Sequence, residues 1–177
     1  MLQRYEILSS TSKSFDLQFF KTNLDVAVIK RAPFLTQTYQ EFQDLFTLLA
    51  GGAFVSSQIA ITEMLRNEML ENGKGTLLFS GASSSLRGSK NFATFSPAKF
   101  ALRSLSQSLA REFHPQGIHV GHVVIDGVIE QEKTREWIKE GTGLKPESLA
   151  NVYFDLYKQD RSSWTQEIDT RPFCENF

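Results

Sequence analysis

The sequence predicts a layered α/β fold with a mainly parallel sheet flanked by helices. Three features point to it. Compact β-branched runs recur that are apolar enough for burial on both faces, long segments between them carry apolar residues at helical spacing, and turn or capping residues mark most junctions. With 177 residues, the chain is long enough for one domain with a real core and too short for two of ordinary size.

Along the chain, residues 1–24 show no sustained period. Their polar stretch Ser9-Ser10-Thr11-Ser12-Lys13-Ser14 is loop-like, so this part reads as a poorly structured lead-in. Asp25-Val26-Ala27-Val28-Ile29 reads as the first buried strand. Thr38 and Glu41 then form a capping box before Phe42, Leu45, Phe46 and Leu49 at helical spacing. Gly51-Gly52 marks a close backbone approach. Phe54, Ile61, Leu65 and Met69 continue the stripe until Asn72-Gly73 stops it. A second strand, Thr76-Leu77-Leu78-Phe79, runs into the loop Ser80-Gly81-Ala82-Ser83-Ser84-Ser85. Ser96 as N-cap and Pro97 at the first helical position open a helix striped by Ala98, Leu102, Leu105, Leu109 and Phe113, which Pro115-Gln116-Gly117 ends. A third buried strand spans Ile118 to Ile125. Pro146 opens a helix carrying Leu149, Val152, Tyr153 and Leu156, and Ser163 to Ile168 reads as a closing strand. There is no internal repeat.

Composition narrows the function classes. Hydrophobic residues make up 41% and charged residues 22%, as in ordinary globular proteins, and the net charge of -1 offers nothing to attract nucleic acid or an anionic membrane. No uninterrupted apolar run approaches the roughly 20 residues that span a bilayer, and the start lacks the apolar core of a signal peptide. Cys174 is the single cysteine and has no internal disulfide partner, which fits a reducing, cytoplasmic setting. His119 and His122 sit three apart in one strand and so face opposite sides. No His-Glu-x-x-His or cysteine cluster accompanies them, and no metal site is expected. Residues 81–85 resemble a nucleophile elbow without its final glycine, which does not support hydrolase chemistry. Trp137 and Trp164 read as packing residues.

Four segments, in order, resemble the short-chain dehydrogenase/reductase family. They are the strand leading into the serine loop, Phe95-Ser96-Pro97-Ala98-Lys99 at a helix start, Gly117-Ile118-His119-Val120 entering a strand that ends Ile125-Asp126-Gly127-Val128-Ile129, and the tail from Gln159 through Arg171-Pro172. The resemblance covers residues 25–177. It implies a partial Rossmann-like, doubly wound domain that lacks the first βαβαβ half, with NAD or NADP as cofactor. In such enzymes a tyrosine hydroxyl is the general acid or base, and a lysine one turn away binds the nicotinamide ribose and depresses the tyrosine pKa. A serine polarises the substrate oxygen, and an asparagine in the preceding helix helps hold a relay water.

Carried over residue by residue, Lys99 matches the lysine and Phe95 stands at the tyrosine, without a transferable proton. The serine position falls on Ala82, with Ser83 adjacent and able to take the role after a one-residue shift. The asparagine falls near Leu49, and the family's Asn-Asn-Ala-Gly falls on Ile29-Lys30-Arg31-Ala32. Asp126-Gly127 stands for Pro-Gly. Gly127 and Ile129, with Lys99, are the implied cofactor contacts. No glycine-rich phosphate turn occurs before Asp25, and Gly141-Thr142-Gly143 is no substitute because Pro146 occupies the third glycine's place.

The leading expectation is an NAD(P)-dependent oxidoreductase by family, shortened and catalytically impaired. One alternative is a non-catalytic protein that pairs with itself or with an intact relative through helices 54–70 and 96–113. Another is an incomplete gene model of an active reductase, which an in-frame glycine-rich turn just upstream of Met1 would reveal. A sheet lacking its front half would expose backbone groups and apolar surface at the first strand. The isolated chain is therefore expected to be poorly soluble or dimeric, and a clean, stable monomer in size-exclusion chromatography would contradict this.

Overall fold

The computed structural model describes residues 19–22, 31–139 and 142–174. Four strands, β1 (Phe19–Thr22), β2 (Gly75–Ser80), β3 (Ile118–Ile125) and β4 (Glu167–Thr170), form one sheet in the order β1-β2-β3-β4, and every pairing is parallel. The central pair runs in register from Gly75 opposite Ile118 to Ser80 opposite Val123. All six residues of β2 and the first seven of β3 are buried. Double-sided burial explains why these two strands read as continuous apolar runs rather than as an alternation.

Helices cover both faces. α1 (Tyr39–Phe46), a widened π turn (Thr47–Gly51) and α2 (Gly52–Met64) form one continuous helical rod. With α3 (Phe95–Phe113), its residues Leu49, Ala53, Ile61 and Met64 pack with Leu77, Phe79, Ile118 and Val120 of the sheet. On the other face, Leu149, Tyr153 and Leu156 of α4 (Pro146–Tyr157) pack on Leu78 and Val123. This is the mainly parallel, Rossmann-like arrangement that the sequence predicts. Burying a side chain such as Phe79 completely contributes about 1.5–3 kcal/mol.

The local signals at several boundaries are realised. Thr38 Oγ1 accepts the Glu41 amide at 3.2 Å while the Glu41 carboxylate accepts the Thr38 amide at 2.7 Å, completing the capping box. Gly117, at φ 88°, ends the 3-10 turn His114–Gln116 that follows α3, in the left-handed conformation glycine tolerates. Both β3 and α4 occupy the ranges read from the sequence.

Other boundaries differ. The strand expected at residues 25–29 lies outside the described residues. β1 instead falls within the segment read as a lead-in, and among the described residues it is an edge of the sheet. α2 stops at Met64 rather than at Asn72-Gly73. Capping by the loop that follows closes it early, because Lys74 Nζ donates to the Leu65 carbonyl at 3.0 Å and the Asn67 side chain donates to the Lys74 carbonyl at 2.8 Å. α3 begins at Phe95 after Thr94, so Ser96 lies in its first turn and is not the N-cap. The amides of both Phe95 and Ser96 bond the Phe92 carbonyl. The closing strand starts at Glu167, since residues 161–163 form a 3-10 turn and Trp164 leaves the sheet to stack on His119, with centroids 5.1 Å apart.

Gly51 makes no close approach either, for a Cβ there would meet only Thr47 Cγ2 at 3.7 Å. The rod Tyr39–Met64 is, by length and composition, apolar enough to cross a membrane, although one of its faces is spent on the core.

Two glycines give opposite expectations. Gly73 sits at φ +107°, and a Cβ would lie 2.6 Å from the Gly117 carbonyl oxygen, so Gly73→Ala is expected to destabilise by about 2–4 kcal/mol. Gly51 is helical and unobstructed, so Gly51→Ala is expected to stabilise by about 0.5–1 kcal/mol. Urea unfolding of both variants checks the contrast.

Candidate active site

Parallel strands all end on the same edge of the sheet, and the loops leaving β2 and β3 there carry the residues singled out by the sequence. β2 runs through Ser80 into Gly81 and Ala82, and then into the tight turn Ser83–Ser85. Within that turn Ser84 and Ser85 are buried while Ser83 is half-buried, which leaves Ser83 the more accessible hydroxyl. The carbonyl of Ser83 accepts the amides of Leu86 and Arg87.

α3 brings Lys99 to this turn. Its Nζ donates to the Ser80 carbonyl at 3.0 Å and lies 5.6 Å from the centre of the Phe95 ring, one helical turn back. The lysine and the residue at the tyrosine position are thus adjacent, as their spacing predicts, but the ring carries no hydroxyl. Phe95 is a core side chain, 6% exposed and packed with Phe92 at a centroid distance of 6.1 Å. Burial pushes the Lys99 amine down to about 8. Among the described residues no carboxylate lies within ion-pair distance to offset that desolvation.

Leu49, at the position of the relay asparagine, is 2% exposed and sits in the middle of the π turn Thr47–Gly51. The backbone widens where a relay residue would stand, yet the side chain there is hydrocarbon.

Gly127 and Ile129 follow β3. A Cβ on Gly127 would meet Pro172 Cδ at 2.7 Å, so this glycine makes room for the C-terminal segment. Ile129 bridges to Leu144, and its carbonyl accepts the Thr134 hydroxyl at 2.7 Å. The adjoining Asp126 is 7% exposed and pairs with Arg171 at 3.3 Å. Asp126 and the Ile129 carbonyl thus find partners within the chain, in Arg171 and Thr134.

A nicotinamide cofactor therefore fits the described residues at one point, the Lys99 amine, which can donate to a ribose hydroxyl. The Ile129 carbonyl accepts the Thr134 hydroxyl and keeps a second lone pair. Among the described residues no glycine-rich turn at a helix N-terminus can cradle a pyrophosphate. The fit is incomplete. Among the described residues there is also no group of three or more His, Cys, Asp or Glu that could hold a metal ion.

Sequence reasoning missed two polar assemblies beside Lys99. The Tyr153 hydroxyl lies 2.7 Å from Ser80 Oγ on the α4 face, and burial pushes it up to about 12, leaving a neutral phenol. On the α3 face Arg103 grips Glu167 with two hydrogen bonds of 2.7 Å, and Glu167 accepts from His122 Nδ1 at 2.9 Å. The Arg103 hydrogen bonds hold the Glu167 carboxyl below its ordinary range, while burial holds His122 below the usual imidazole range. A faint signal existed in the i, i+4 spacing of Lys99 and Arg103 on one helix and in an inward-facing histidine. The partner Glu167, 45 residues beyond His122, had none.

Both shifts act in the same direction on stability. A depressed folded-state pKa means the unfolded chain binds more protons, so the contribution is present at neutral pH and lost on acidification. The loss begins below about pH 6.5 for His122 and below about 4.5 for Glu167. Glu167→Gln is expected to lower stability by about 1–2 kcal/mol at pH 7, with the gap to wild type shrinking below pH 4.5. Urea titrations across pH 3.5–8 measure it.

Comparison with known proteins agrees with this geometry. The family described as short chain dehydrogenase matches residues 23–140. A short-chain dehydrogenase from Rhodopseudomonas palustris superposes with a TM-score of 0.72 at 34% identity, over 89% of this chain and 63% of that one. An acetoin dehydrogenase from Enterobacter cloacae gives 0.66 at 22% identity, over 86% and 63%. A 4-hydroxyisoleucine dehydrogenase complexed with NADH gives 0.69 at 19% identity, over 92% and 71%, and at that identity shares the fold alone. The chain spans somewhat under two thirds of the length of the first two. With the family match covering most of the chain and Lys99 standing one turn from Phe95 beside the serine turn, this protein belongs to the short-chain dehydrogenase family.

Proposed function

We propose that this chain is a short-chain dehydrogenase/reductase-type oxidoreductase scaffold that retains the lysine of the nicotinamide site and is impaired as a catalyst. The observation that carries the reading is the Lys99 amine, buried at the end of β2 beside a phenyl ring that has no proton to give. A bound NAD or NADP would supply the hydride. This chain's own part is to hold the ribose at Lys99 and present Ser83 to a substrate oxygen. Proton transfer by a residue at position 95 is absent, and such transfer contributes roughly 10²–10⁴-fold in rate. Leu49 for the relay asparagine supports the same reading.

Calorimetric titration with NADH and NADPH is expected to show no site of micromolar strength, and micromolar binding would overturn the claim of an incomplete cofactor site. Phe95→Tyr alone is expected to leave carbonyl reduction undetectable. A gain of reduction in this variant would show the missing hydroxyl to be the sole defect.

A second reading, a binding protein that pairs with itself or with an intact relative in a cytoplasmic setting, rests on the outward side of the helices. Phe54, Val55 and Ile59 of α2 are each more than half exposed, and Phe100 of α3 is 41% exposed. Monomeric surfaces seldom leave such a row uncovered. α2 ends at Met64, so the helical part of that face is shorter than the 54–70 span suggested by the sequence.

A further inference from the structure

Charge is unevenly spread along this chain. It holds 19 lysines and arginines against 20 acidic residues, yet residues 73–111 carry Lys74, Arg87, Lys90, Lys99, Arg103 and Arg111 and not one carboxylate. Three of these cations are engaged within the chain: Lys74 donates to the Leu65 carbonyl, Arg103 pairs with Glu167, and Arg111 donates to the Gln107 carbonyl. Arg87, Lys90 and Lys99 are left, on the segment that leaves β2 and enters α3. A fourth cation joins them from earlier in the chain. The Ala32 amide donates to the Asn91 carbonyl at 3.2 Å, with Asn91 held at φ 70°. Next to that bond the Arg31 guanidinium lies over Phe92, 5.5 Å from the ring centre. Phe92 packs on Phe95, and the Lys99 amine stands 5.6 Å from that second ring. A cation therefore sits over each ring of an aromatic pair. Among the described residues the ion pairs fall elsewhere, on Arg66, Arg103, His122, Lys158 and Arg171, so Arg31, Arg87, Lys90 and Lys99 stand without a carboxylate.

The donors this edge can offer a ligand are side chains. The Ser83 carbonyl takes the amides of Leu86 and Arg87, the Ser89 carbonyl takes that of Phe92, and the Phe92 carbonyl takes those of Phe95 and Ser96. Pro97 has no amide hydrogen. No cradle of amides is left there for the three oxygens of a phosphate. A guanidinium stacked on a ring, by contrast, keeps its edge N–H groups for a planar carboxylate, which accepts two of them side by side. The half-buried Phe92 adds apolar surface next to it. We propose that this edge binds a small carboxylate with an apolar or aromatic body: Arg31 takes the carboxylate, Phe92 lies against the body, and Arg87, Lys90 and Lys99 keep the surrounding field positive. Ser83 is left for a carbonyl or hydroxyl oxygen of the same molecule. The proposal rests on the reading of this edge as the substrate side of an oxidoreductase scaffold, and it names the substrate class, a keto or hydroxy acid rather than a neutral carbonyl compound.

The test uses the full chain without cofactor and three probes in calorimetric titration: phenylglyoxylate, its uncharged methyl ester, and phenyl phosphate. Phenylglyoxylate is expected to bind about tenfold or more tightly than the ester, and phenyl phosphate no more tightly than phenylglyoxylate. Added salt is expected to weaken the acid and leave the ester in place. Arg31→Gln is expected to weaken phenylglyoxylate about tenfold without moving the ester. Arg111→Gln, which removes a cation of the same acid-free stretch at the far end of α3, is expected to change neither. Equal binding of acid and ester, no binding of phenylglyoxylate at about 10 mM, a preference for phenyl phosphate, an unmoved affinity in Arg31→Gln, or an equal loss in Arg111→Gln would overturn the proposal. Binding of NADH at micromolar strength bears only on the completeness of the cofactor site, so the two readings fail separately.

Discussion

The parallel pairing of β2 with β3, buried on both faces, is the constraint on which the other elements depend. Its register, Gly75 with Ile118 through Ser80 with Val123, brings the ends of the two strands to one edge and delivers the serine turn and the Asp126-Gly127 turn there together. A one-residue slip would exchange the side chains facing α3 with those facing α4. Phe79 and Val120 would leave the larger core, and His122 would lose Glu167 and Arg103. The candidate site is therefore a consequence of core packing, not an addition to it.

Its chemistry is governed by desolvation. Lys99 is buried with a carbonyl and an aromatic ring for company, both weaker partners for an ammonium than a carboxylate. One helical turn further on, the same helix supplies the more exposed Arg103, which makes two hydrogen bonds to Glu167. One face of α3 thus carries a compensated cation and an uncompensated one. Phe95 adds to the contrast, since a phenyl ring there packs into the core at no polar cost, whereas a phenol would need a partner.

Why the sequence and the structure disagree at certain boundaries is instructive. The capping box at Thr38 and the glycine after α3 act through covalently near neighbours, and both were legible. The end of α2 was not, because Lys74 and Asn67 close it from beyond the helix, overriding an apolar stripe that continues through Leu65 and Met69. Trp164 reads as a strand residue by its aromatic character, yet stacking on His119 draws it away from the sheet and delays β4 to Glu167. In each case a contact from outside the element outweighed a local preference of a few tenths of a kcal/mol per residue.

By itself the sequence determined the α/β class, the buried strands β2 and β3, the helix from Pro146, the adjacency of Lys99 and Phe95, and the opposite facing of His119 and His122. All of these follow from short-range periodicity: 3.6 residues per turn, or alternation along a strand. Only the tertiary structure decided that Gly127 makes room for Pro172, that the Ile129 carbonyl accepts the Thr134 hydroxyl, and that Glu167 reaches back 45 residues to His122. Those contacts depend on how separate elements are stacked. No local period encodes that stacking, so the partner of a buried polar group becomes visible only once the layers are assembled.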